Sequence, residues 1–257
     1  MLARPRRALL DLRASLPGLD WCAASSACAD CTHSFAVISR VAGMRGVRVV
    51  LIGGTSNVGK STVARAVADS LGFECLSTDA LARHPGRPWR TPGREVPTHV
   101  AEHYRSLTVD ELITSVLDHY VRLWPRIEGL ITSRTTTSGA GATVAGLVLE
   151  GSALWPVRVA QLVTPHTAAV WLTADETVLR ARVHAAGRHD QASPEERALM
   201  DTFLSRTLRF QALMLEAVDR LDLDRIDTGS GRSVENLADA VLETVDRQHA
   251  VGRSPTR

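Results

Sequence analysis

The stretch VRVVLIGGTSNVGKSTVARAVADSLG, residues 47–72, decides the fold. Its first seven residues are a continuous β-branched and apolar run, as expected of a strand buried on both faces. From Ser61 to Leu71, Val63, Ala66, Val67 and Leu71 recur at helical spacing, and Gly72 supplies a C-terminal stop. Between strand and helix, Gly54-Thr55-Ser56-Asn57-Val58-Gly59-Lys60-Ser61-Thr62 satisfies G-x-x-x-x-G-K-[ST]. Such a loop turns its backbone N–H groups into one concavity, and the following helix adds its positive end, so the pair holds phosphate. Lys60 then reaches the β- and γ-phosphates of a nucleoside triphosphate, and the Ser61 hydroxyl is placed to ligate Mg²⁺.

Composition sharpens that assignment. Of the 30 basic residues, 29 are arginine and one, Lys60, is lysine. A chain so depleted in lysine keeps its single compact ammonium at the one place where a planar guanidinium cannot replace it. The rest of the composition bounds the class. With 257 residues, 44% hydrophobic and 23% charged, the chain fits one domain with appendages and is globular rather than disordered or fibrous. No apolar run approaches 18 residues, so no membrane-spanning helix is expected. A net charge of +2 and 4% aromatic residues argue against a general nucleic-acid binder. Four cysteines are too few for a disulfide scaffold, which points to a reduced, cytoplasmic chain. Nothing in the sequence speaks to oligomeric state.

Residues 1–43 read as a loosely attached leader, 44–250 as one domain and 251–257 as a tail; Met44 could itself be a start. Asp11 and Arg13 interrupt the apolar run that a secretory signal would need. Cys22, Cys28, Cys31 and His33 have the spacing C-x5-C-x2-C-x-H, which matches no common zinc site. After Gly72, FECLST (73–78) reads as a second strand, and RHPGRPWRTPGREVP as a loop or mobile flap. Helical spacing returns at 98–105 and 108–123. ATVAGLVLEG (142–151) and HTAAVWLT (166–173) are the third and fourth strands. Thr173 with Glu176 fits a capping box for a helix that Gly187 ends, and Ser193-Pro194-Glu195-Glu196 fits another, opening a long amphipathic helix to about Leu221. A fifth short strand (222–229) and a helix (233–247) complete an alternating α/β pattern with a parallel sheet.

Four groups of side chains carry candidate chemistry. Asp79, just past strand two, is placed to take a proton from a hydroxyl or to orient it; as an alternative it caps the helix that follows. Glu150 ends strand three at the carboxyl edge, where a carboxylate holds Mg²⁺ through water, or else bonds nearby backbone. Arg182 and Arg188 flank the turn after the fourth strand's helix, with Arg188 in the loop the stronger candidate to stabilise transferring charge, while Arg197, Arg206 and Arg209 on the next helix are weaker. Arg83, Arg87, Arg90 and Arg94 crowd the flap, either gripping a phosphate or carboxylate or remaining a solvated basic loop.

IGGTSNVGKST, STD at 77–79 and VLEG at 148–151 resemble the P-loop small-molecule kinases near the nucleoside-monophosphate kinases. The loop and the LEG segment are most similar to 2-phosphoglycerate-kinase-like proteins; STD is similar to chloramphenicol phosphotransferase and zeta-toxin kinases. The resemblance spans about residues 46–248. It implies a three-layer α/β fold with a five-stranded parallel sheet in the order 2-3-1-4-5, a helical acceptor flap and a lid. It also implies ATP with Mg²⁺ and transfer of the γ-phosphoryl to a small-molecule hydroxyl, with Lys60, Asp79 and Arg188 catalytic and Arg182 at ATP. An antibiotic- or sugar-nucleotide-phosphorylating kinase, and an ATP-binding regulatory module without acceptor chemistry, remain alternatives.

Overall fold

Five strands, β1 (Val49–Gly54), β2 (Glu74–Ser77), β3 (Leu147–Glu150), β4 (Thr167–Thr173) and β5 (Arg225–Asp227), pair in the order β2-β3-β1-β4-β5, every pair parallel. The structure is a computed structural model and describes residues 46–82, 85–91, 93, 95–136, 146–162, 166–229 and 231–252. The expected leader, with its cysteines and His33, lies outside the described residues, as do Arg83, Arg94 and residues 253–257 of the expected tail; residues 251 and 252 belong to the last helix instead.

The helices are α1 (Lys60–Leu71), α2 (Thr98–Ser106), α3 (Val109–Thr135), α4 (Pro156–Ala160), α5 (Glu176–Gly187), α6 (Pro194–Arg220) and α7 (Val234–Gly252). β1 is buried along its whole length and alternates its side chains between two cores, as the two-residue period of a strand requires. Val50 and Ile52 face Val63 and Val67 of α1 and Val241 and Val245 of α7, in one cluster. Val49 and Leu51 face Ile127 and Ile131 of α3 and Phe210 and Met214 of α6, in the other. Because β1 sits between β3 and β4, the chain leaves its neighbourhood in opposite directions, and a crevice opens at the carboxyl edge. Register places Ser77 and Ile52 beside Glu150, so the ends of β1, β2 and β3 converge there.

The expected helix over 108–123 does not stop at Pro125 but runs to Thr135. An internal proline costs about 3 kcal/mol through its lost hydrogen bond and ring clash. Here Ile127 and Ile131 are buried beyond it, and each large apolar side chain recovers about 1.5–3 kcal/mol. The residue that loses its partner N–H, Val121, is on the exposed side. The expected box at Thr173 is also corrected. Thr173 belongs to β4, and Asp175 caps α5 instead, its carboxylate accepting from Val178 N at 2.8 Å. The stop of α5 differs too: Gly187 is its last residue, and Arg188 takes the left-handed conformation, φ 51°. The box at Ser193 forms as expected, with Ser193 and Glu196 bonding each other's backbone N–H groups at 3.2 and 2.8 Å.

Candidate active site

The loop from Gly54 to Gly59 departs from β1 at a position only glycine can hold. Gly54 has φ 142°, and a Cβ there would come within 2.6 Å of the Leu172 carbonyl. Asn57 also takes a positive φ of 60°, which short polar side chains tolerate. Gly54, Thr55 and Val58 form the underside, whereas Ser56, Asn57, Gly59, Lys60, Ser61 and Thr62 line a cleft of about 950 Å³. The underside is tied down from two directions. Thr55 donates to Thr207 O of α6 at 3.1 Å. Arg182 donates to Val58 O at 3.0 Å and to Thr228 O at 2.9 Å, and Thr228 bonds the same Val58 carbonyl at 2.8 Å. Arg182 lines the cleft, yet its guanidinium is engaged in holding the loop to the segment after β5.

Lys60 is buried, and its ammonium donates to Thr55 O at 2.6 Å. Burial pushes its pKa below the ordinary lysine value, while the carboxylates of Glu150 and Asp79 pull it back up. Next to it, Ser61 donates to Glu150 Oε1 at 2.9 Å, joining the two residues expected at a metal. Glu150 is itself buried, and among the described residues its carboxylate takes no backbone partner. A buried carboxylate beside a hydroxyl is the hard oxygen set that suits Mg²⁺, and the loop beside it offers N–H groups rather than oxygens, so the residues fit a Mg²⁺-bound triphosphate. Gly151, after Glu150, has φ 155°, and a Cβ there would overlap the Thr78 hydroxyl at 1.7 Å; only glycine lets β3 end against the turn that carries Asp79.

That turn, Thr78–Ala80, is capped by Ser77, whose hydroxyl accepts from Asp79 N at 3.3 Å. Asp79 is therefore not the helix cap. Its carboxylate is exposed in the cleft and contributes to the field at Lys60. The hydroxyl of Thr78, next to it in the turn, is buried against Gly151 and has no hydrogen-bond partner among the described residues.

Arg206 and Arg87 stand in the same cleft, and their charges depress Lys60 further. Arg206 is only 6% exposed, with the rings of Phe203 and Phe210 5.9 and 6.0 Å from its guanidinium carbon. It hydrogen-bonds Tyr120, whose phenol burial pushes up to about 12. Among the described residues no carboxylate pairs with it. His119 also lines the cleft, its pKa lowered by burial and then by Arg122. Sequence reasoning ranked Arg206 below Arg188 and did not single out Tyr120 or His119. A signal for Arg206 exists: it stands three residues after Phe203 and four before Phe210, an arginine on the apolar stripe of α6.

Two expected residues are elsewhere, and a third is not described. Arg90 is engaged with Glu196 at 2.6 Å and fastens the flap to α6, and it does not line the cleft. Arg94 lies outside the described residues. Arg188 caps α5 and lines a separate hollow of about 370 Å³.

The sheet order and the loop after its first strand define a P-loop α/β fold with the strand order of the kinases. No protein-family model matches the chain, and no curated protein matches it in sequence. Among solved structures it is similar to a gluconokinase from Sinorhizobium meliloti 1021, at 19% identity over 80% of this chain and 95% of that one, TM-score 0.47. It is similar to a sugar kinase from Janibacter sp. HTCC2649 at 22% identity over 80% and 98%, TM-score 0.46. A shikimate kinase from Acinetobacter baumannii follows at 16% identity over 79% and 95%, TM-score 0.41. Among the described residues no helix is long and apolar enough to cross a membrane.

Proposed function

We propose that the chain is an ATP-dependent phosphotransferase that passes the γ-phosphoryl of ATP to a hydroxyl of a small anionic molecule. The observation that carries the reading is Arg206: a buried guanidinium without a carboxylate partner among the described residues, in the same cleft as the phosphate loop and Asp79. Burying an uncompensated charge is costly, and an anionic ligand offsets that cost when it binds. The loop with Lys60 accounts for the triphosphate, which leaves Arg206 and Arg87 for a carboxylate or phosphate on the acceptor.

In this reaction the acceptor oxygen bonds to the γ-phosphorus as the bond to the β–γ bridging oxygen breaks, and ADP leaves. The acceptor hydroxyl proton passes to Asp79, whose carboxylate is unprotected by any cap role. Lys60 neutralises charge on the transferring group from the loop side. Ser61 and Glu150 would hold Mg²⁺, which supplies charge neutralisation at the phosphate oxygens. A 2-phosphoglycerate-like metabolite fits this acceptor class, whereas a neutral antibiotic would leave Arg206 uncompensated. A pure nucleotide sensor has no use for Asp79 and Arg206.

The test is acceptor-stimulated ADP release with hydroxylated metabolites divided into anionic and neutral pools. Stimulation by the anionic pool is expected. Stimulation by the neutral pool alone would overturn the acceptor class, and slow hydrolysis indifferent to every pool would overturn the kinase reading.

A further inference from the structure

We infer that His184, His189 and Asp201 form a binding site for a divalent transition metal of the Zn²⁺ type, at the turn joining α5 to α6. None of the three lines the cleft described above, so the inference is independent of the proposed function. They come from three elements: the last turn of α5, the short turn His189–Gln191, and α6.

Their candidate ligand atoms all lie within 4.8 Å of one another. His184 Nε2 is 3.8 Å and His189 Nε2 3.9 Å from the same oxygen, Asp201 Oδ1. Two donors on one tetrahedral Zn²⁺, at bonds of about 2.0–2.1 Å, stand about 3.3 Å apart. Closing the difference takes a small rotation of side chains, not a movement of helices. The frame is close-packed: a Cβ at Gly187 would come 2.6 Å from Met200 Sδ, so α5 and α6 are in direct contact beside the site.

The cluster is poorly explained as packing alone. The imidazoles of His184 and His189 are stacked, with centroids 4.0 Å apart and planes at 14°. Among the described residues His184 Nε2 is buried without a hydrogen-bond partner, a group that native structures rarely leave unsatisfied. Burial, and then the neighbouring His189, lower the His184 pKa. On the other side of His189, Nδ1 lies 3.9 Å from Asp190, beyond hydrogen-bond distance, so this carboxylate adds only negative charge beside the ring. The adjoining hollow of about 370 Å³ leaves room for water to complete the coordination. Two imidazoles and one carboxylate select Zn²⁺ and its neighbours over Mg²⁺ or Ca²⁺, which demand oxygen donors. Arg180 and Arg188 oppose a cation here, and Asp190 and Asp201 offset them. A bound ion would fasten the turn on which Arg188 stands.

The experiment is titration of Co²⁺ alone into the full, chelator-treated chain, followed by visible absorption, with melting temperature measured with and without Zn²⁺. One Co²⁺ per chain is expected, without the intense near-ultraviolet band of thiolate ligation, and Zn²⁺ should raise the melting temperature. His189→Gln and Asp201→Asn should each weaken Co²⁺ binding at least about tenfold and abolish the Zn²⁺ shift. Asp201 is largely exposed, so Asp201→Asn keeps the test decisive if His189→Gln fails to fold. Binding that survives both substitutions, a thiolate band placing the metal on the cysteines, or no binding at millimolar Co²⁺ would each overturn the site.

Discussion

At the phosphate-loop end of the cleft, nine consecutive residues, Gly54 to Thr62, supply the loop, the ammonium and the hydroxyl. At the other end, Asp79, Arg87, Tyr104, His119, Tyr120 and Arg206 converge from the turn after β2, the flap, α2, α3 and α6. Phosphate is held mainly by backbone N–H groups, which every residue carries, so one local conformation suffices. An acceptor is held by side chains of particular shape and charge, and these can be collected from anywhere the fold brings them. One end is therefore set by local geometry and the other by tertiary packing.

The division predicts unlike responses to substitution. Asp79→Asn should lower the transfer rate about 10²–10⁴-fold, as for a lost acid–base group, with ATP affinity changed less than about threefold. Parallel loss of ATP binding would move Asp79 to the phosphate end. Lys60→Arg keeps the charge but not the compact shape, and should cost about 10²–10³ in transfer through loss of the phosphate contact. Near-wild-type turnover would break the assignment of the loop. Arg206→Met should raise the acceptor KM about 10- to 100-fold while the KM for ATP stays within about threefold, because charge-assisted hydrogen bonds are worth about 1.5–3 kcal/mol. An equal rise in both would place Arg206 on the triphosphate.

The smallest effect concerns the flap. Glu196 is held below the usual carboxylate range first by the Arg90 hydrogen bond and then by Ser193 N. A carboxyl whose folded pKa is lowered stabilises the fold above its unfolded pKa, and that contribution fades as pH falls through the folded value. Glu196→Gln should therefore reduce the melting temperature by about 1–2 °C at pH 7. The gap between variant and wild type should close on acidification below about pH 4. A gap that persists in acid would mean the side chain acts by shape rather than charge.

The same division governs what the sequence disclosed. The turn between β1 and α1 and the box at Ser193 are spacing effects of a few residues, and they stand in the structure as read. Helix α3 passes Pro125 because a core on the far side outweighs a local rule. Asp175 displaces Thr173 as cap because the sheet claims Thr173 first. Arg188 looked central because it lies in a loop, yet it points to a different hollow, whereas Arg206 was masked by its place in an apolar stripe. Which arginine faces the cleft depends on how α6 rolls against the sheet, and no local pattern encodes that.

Lys60 has one more consequence. With a single ε-amine in 257 residues, held against the Thr55 carbonyl under the loop, the chain has one lysine for acylating reagents to find. Amine modification of the folded chain thus becomes a count of open loops. Apart from the α-amino terminus, each acyl group gained marks a molecule whose ammonium was free of its carbonyl, and anything seated on the loop should suppress the gain. The same scarcity leaves lysine acetylation a single address on this chain, at which it would neutralise the loop's only side-chain cation.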